Sequence, residues 1–158
     1  MKLVSNTGGR IVFVLSENEY GTILRILAMQ GNLPQSPKGL SKNLGDQRTR
    51  SAQEDLQEAM GDHRRDLYKA VETLLKDESR CVPGPKTRTL TLEPRHVEML
   101  LQAVNGIRVG AWERMGSPDF EAGAKPDDTP LAEACLAIIQ VTDLLLAQLL
   151  RSLEPVTE

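Results

Sequence analysis

The sequence predicts a mainly α single domain, in which four helices accompany a small antiparallel sheet made of an N-terminal hairpin and one strand before the third helix. Three observations predict it. Apolar residues recur at spacings of three and four over four stretches of the chain. Helix-starting residues stand at the heads of all four stretches, at Ser16, Ser51, Pro94 and Thr129–Pro130. Strand-like patterning is confined to short runs, "KLVS", "RIVFVL" and "TRTLTL".

A chain of 158 residues is long enough for one core, burying roughly 70% of the surface its unfolded form exposes. Aromatic residues make up only 3%, so that core must be built from aliphatic side chains. The same scarcity argues against stacking platforms for single-stranded nucleic acid. A net charge of −3 provides no global attraction for polyanions. Two cysteines, Cys81 and Cys135, are too few for a disulfide scaffold, and the start of the chain shows no secretory pattern. The apolar run "IVFVL" is too short for a membrane span. A cytoplasmic, reducing compartment is therefore expected, with no membrane partner.

Taken in order, residues 2–5 and 10–15 read as a hairpin, with "NTGG" between them supplying glycines for positive φ. Ser16 and Glu19 have capping-box spacing. The helix that follows carries Tyr20, Ile23, Leu24 and Leu27 on one face and ends near Gly31. Residues 32–50, with two prolines and two glycines, read as a loop with room for one helical turn. From Ser51 to about Lys76 runs a long amphipathic helix, its stripe formed by Leu56, Met60, His63, Leu67, Ala70 or Val71, and Leu74. "CVPGP" terminates it. Residues 87–92, "TRTLTL", alternate as a half-buried strand does and are expected to join the hairpin. A third helix runs from Pro94 to Met115, with Gly116 just beyond. After the acidic stretch "SPDFEAGAKPDDT", Thr129 and Pro130 open the last and most apolar helix, which reaches about Leu153.

The third helix holds an anomaly. At about 100° per residue, with Val97 at zero, Leu101, Val104, Ala111, Trp112 and Met115 all fall within about 60°. Arg108 lands at about 20°, inside that arc, and Asn105 at about 80°, on its edge. On the far side Met99, Ala103, Gly106 and Gly110 gather. Each glycine costs about 1 kcal/mol relative to alanine, and small residues one turn apart let another backbone approach closely. This pattern predicts a central helix covered on two sides.

An unpaired guanidinium on a buried face is prohibitively costly, so Arg108 needs acceptors or water. On the last helix Asp143, Thr142 and Gln140 are candidates, and Asp119 and Glu121 in the acidic loop are rivals. Three readings are open. The first is an internal ion pair that fixes helix docking. The second is a pocket for a carboxylate or phosphate, built from Asn105, Arg108, Thr142 and Asp143. The third is a side chain that snorkels to solvent.

Other constellations carry less. His63 on its apolar stripe reads as a hydrogen-bonded core histidine, and His96 has no second ligand at metal-binding spacing. Asp119, Glu121, Asp127 and Asp128 lack the grammar of a calcium loop and read as a solvated loop. There is no GxxxxGK, GxGxxG or GxSxG motif, and neither cysteine sits in a nucleophile's context. No catalytic residue, cofactor site or metal site is therefore predicted. Lys38, Lys42, Arg48 and Arg50 against Asp46 leave +3 over residues 36–50, a run able to touch phosphates but lacking a recognition helix.

The segment "LTLEPRHVEMLLQAVNGIRVGAWERMG", followed by the acidic loop and "LAEACLAIIQVTDLLLAQLL", resembles DUF2017, a bacterial domain-of-unknown-function family. That family has a strand leading into a helix with a Leu-Asn-Asp-Leu-Arg-Leu-like run, a Gly, an acidic loop and a final helix. Asn105, Arg108 and Gly116 match its Asn, Arg and Gly, whereas Val104 replaces the Leu and Gly106 the Asp. The resemblance covers residues 88–150 well and the N-terminal half in outline. It implies a cytosolic bacterial protein, often encoded near the ClpS protease adaptor and loosely described as a transcriptional regulator. The leading functional expectation is a non-enzymatic regulatory or adaptor-type protein-interaction domain, with a protein partner or a second copy of the chain. The alternative is a nucleic-acid-binding or transcription-regulatory protein. The third is an enzyme or small-anion-binding protein using the Asn105–Arg108 site.

Overall fold

The architecture is that of a computed structural model describing residues 1–29 and 47–154, with only the backbone of 47–49 described. Strands β1 (Lys2–Thr7) and β2 (Arg10–Ser16) form the hairpin. Gly8 and Gly9 between them have φ of 59° and 75°, the two successive positive values that a tight hairpin turn requires. Strand β4 (Thr87–Leu92) pairs antiparallel with β2, setting Ile11 opposite Leu92 and Phe13 opposite Leu90. This register places Ile11, Phe13, Leu15, Leu90 and Leu92 on one buried face.

The sheet has four strands where the sequence predicts three. Strand β3 (Cys81–Pro83) pairs with the outer side of β4, giving the order β1-β2-β4-β3. It lies inside "CVPGP", where two prolines suggested termination alone. Pro83 is tolerated because β3 is a short edge strand, on which a missing N–H need not interrupt a ladder.

Helix α1 (Glu17–Ala28) starts with the expected capping box. Glu19 N donates to Ser16 Oγ at 3.2 Å, and Ser16 N donates to Glu19 Oε2 at 2.8 Å. Ile23, Ile26 and Leu27 bury its inner face. Helix α2 (Gln47–Lys76) begins four residues before the expected Ser51, so residues 47–50 are helical rather than loop. The rest of the expected loop, 32–46, lies outside the described residues, as does the expected α1 terminus near Gly31.

The stripe of α2 is buried only in its C-terminal part, through Tyr68, Val71, Leu74 and Leu75. Leu56 and Met60 stand 48% and 46% exposed. His63 is also exposed, which overturns its reading as a core histidine. Periodicity establishes that a helix has an apolar face, but the length of the covering layer decides how much of that face is buried.

Helix α3 (Pro94–Arg114) lies at the centre, between the sheet, α2 and α4 (Pro130–Arg151). Its buried residues are Val97, Leu100, Ala103, Val104, Ile107 and Ala111. At α4 the predicted cap is present, with Ala132 N donating to Thr129 Oγ1 at 3.2 Å. The helix packs along α3 from the outside, and Asn6 Nδ2 of β1 donates to the Ser152 carbonyl at its end, 2.8 Å away. The sheet face, α1, the C-terminal part of α2, α3 and Leu149 of α4 share one apolar cluster.

Candidate functional site

Arg108 is not at the centre of a buried face. The buried residues of α3 centre near 300° when Val97 is set at zero, because Leu100 and Ile107 fall at about 300° and 280°. The arc centred on Val97 includes neither of them. Arg108 therefore sits about 80° off the true centre and Asn105 about 140° off, so both are exposed. Arg108 Nε donates to Asp143 Oδ1 of α4 at 2.5 Å, with the two side chains 44% and 51% exposed. This ion pair bridges the solvent edge of the α3–α4 contact. A pair so exposed contributes at most about 1 kcal/mol.

Thr142 is fully buried but does not face Arg108. Its hydroxyl donates back to the Ile138 and Ile139 carbonyls of its own helix, at 2.9 and 2.8 Å. Of the four predicted site residues, the fold thus joins only Arg108 and Asp143. Trp112 is 37% exposed, and its Nε1 donates to the Pro118 carbonyl at 2.9 Å, tying the acidic loop to α3. The close approach expected of a backbone at Gly106 is made by a side chain instead. A Cβ there would lie 2.6 Å from Tyr68 Oη of α2. That hydroxyl is buried and has no hydrogen-bond partner among the described residues.

A second polar cluster gathers residues that sequence spacing did not connect. A shallow cleft between the C-terminal end of α2 and the start of α3 is lined by Thr73, Asp77, Arg80, Arg95, His96 and Met99, among others. At its edge Glu93 pairs with Arg95 at 2.9 Å and with Arg80 at 3.4 Å, and Arg80 also reaches Asp77 at 3.6 Å. His96 Nδ1 accepts the Glu93 backbone N–H at 3.2 Å, so the imidazole caps α3. Burial pushes the Glu93 carboxyl up, but Arg95, His96 and Arg80 outweigh it and hold the group below its ordinary range. Burial, then Arg80, pulls the His96 imidazole below its ordinary value of 6.5, against the opposing pull of Glu93. The charges of Asp77, Arg80, Glu93 and Arg95 in this cluster neutralise one another. Among the described residues no group of three or more His, Cys, Asp or Glu side chains could hold a metal ion.

The least ordinary surface belongs to α4. From Ala134 to Leu150 its only charged residue is Asp143, already paired with Arg108. By length and composition the helix is apolar enough to cross a membrane. One side nevertheless packs on α3, while Leu144 on the other is 70% exposed. Comparison of the chain with protein-family models, curated protein sequences and solved structures finds no match.

Proposed function

We propose that this is a non-enzymatic regulatory or adaptor-type domain that works by binding protein. The outer face of α4, uncharged between Glu133 and Arg151 with Leu144 at its middle, is the observation that carries the reading. Exposed apolar side chains such as Leu144 on a helix otherwise free of charge for several turns mark interaction sites. The resemblance of residues 88–150 to DUF2017, with its association with ClpS, agrees with a cytosolic bacterial protein acting in protein quality control. The nucleic-acid alternative rests on residues 38–50, of which only the Arg50 side chain is described. The anion-site alternative must displace Asp143 from Arg108.

A photo-cross-linking side chain placed at Leu144, with the same group at exposed Lys69 of α2 as control, tests the reading in native lysate. Position 144 should yield discrete protein cross-links, identified by mass spectrometry and absent from the control. If it yields none while the protein retards random duplex DNA at low salt, the nucleic-acid reading replaces this one. A rise in melting temperature with phosphate that disappears in Arg108→Met would instead favour the anion site.

A further inference from the structure

Helix α4 carries two seams, not one. Cys135, Ile138, Thr142, Leu145 and Leu149, at heptad spacing, face the interior. Opposite them Glu133, Ala137, Gln140, Leu144, Ala147 and Arg151 repeat at steps of four and three, and all six are exposed. Alternating steps of four and three place residues along one line of contact with a second helix. The outer seam lies about 180° from the face on α3, so a helix laid along it would not meet this helix's own partner.

We propose that the occupant is a second copy of this chain, α4 against α4, antiparallel about a two-fold axis near residue 142. The proposal rests on the interaction reading above and names its partner. The charges at the two ends carry it. Glu133 and Arg151 are separated by 18 residues, five whole turns, and so lie on one line of the helix. Their signs suit the helix dipole, but the dipole does not require that they share the line that runs through Leu144. With the axis at residue 142, Glu133 faces Arg151 of the partner subunit and Arg151 faces Glu133 of the partner subunit. Both ends of the seam are thereby neutralised. A parallel pairing would set like charges together. Between the ends, Ala137 meets the partner's Ala147, which allows close approach, and Leu144 lies over the partner's Gln140. The surface is self-complementary, as a two-fold interface must be.

Sedimentation equilibrium and engineered cysteines test this together. The wild type should move with concentration from 17.4 kDa toward twice that mass. Leu144→Lys, at an exposed position, should stay monomeric at the same concentrations. Glu133→Arg should also be monomeric, and adding Arg151→Glu to it should restore the dimer. Under oxidising conditions the double variant Ala137→Cys/Ala147→Cys should form a covalent dimer, and each single variant alone should not. A single variant that cross-links to itself would mean a parallel pairing and overturns the geometry. A wild type monomeric throughout, with no cross-link in the double variant, overturns the proposal. In that case capture of a different protein by the photo-cross-linker at Leu144 leaves the interaction reading standing, whereas no capture removes both.

Discussion

At the residue scale, Gly106 and Tyr68 give the sharpest test of packing. Alanine is the better helix former by about 1 kcal/mol, so on propensity alone Gly106→Ala should stabilise α3. With a Cβ 2.6 Å from a buried ring hydroxyl, the substitution is expected to destabilise instead. Tyr68→Phe removes the offending oxygen and leaves ring carbon Cζ, 3.8 Å from that Cβ, as the nearest contact. Tyr68→Phe alone should cost nothing, because the lost hydroxyl has no partner and an unsatisfied buried polar group is itself unfavourable. In the Tyr68→Phe background Gly106→Ala should turn stabilising. Chemical denaturation of the four proteins decides it, and equal losses in both backgrounds would show that the hydroxyl is not what holds position 106 to glycine. The sequence marked Gly106 as a point of close approach. It could not say that a tyrosine from α2 makes that approach.

At the element scale, the start of α3 is sensitive to pH through His96. Its folded value is lowered, so the native state binds this proton less readily than the unfolded chain does. The stabilisation is therefore present above 6.5 and is lost as pH falls through the lowered folded value. Protonation also removes the Nδ1 acceptor from the Glu93 N–H. Gln at this position in the first helical turn accepts the same bond without titrating. His96→Gln is thus expected to match the wild type near neutral pH and to lose less stability than it between about pH 7 and 5. Melting temperatures of the two proteins across that range measure the difference, and parallel curves would refute the role given to His96. Pro94 as a helix start was legible in the sequence. The histidine cap was not, since nothing in the spacing "EPRH" names a ring nitrogen as acceptor.

At the scale of the whole molecule, stability should follow the layer of sheet and helix that shares one cluster. Amides of β2, β4 and the middle of α3 are expected to exchange most slowly. Within α2, residues 51–62 should exchange well before residues 68–75, because only the second group is anchored by Tyr68, Val71, Leu74 and Leu75. Hydrogen exchange followed by mass spectrometry reads this gradient, and uniform protection along α2 would contradict it. Leu56, Met60 and His63 show why the pattern misled. Their spacing was right for a helix, yet all three are exposed.

What the sequence determined by itself was local: four helices, the hairpin with its glycine turn, and the caps at Ser16 and Thr129. These depend on neighbours within a turn or two, and backbone geometry sets them before any tertiary contact forms. Only the tertiary structure decided that Arg108 stands at the solvent edge and that Thr142 bonds to its own helix. It alone showed that β3 completes the sheet, and that α4 packs its apolar seam and leaves a second seam exposed. Each of these depends on which faces meet. A helix's periodicity records that a face is apolar; the thickness and extent of what lies over it are properties of the other elements.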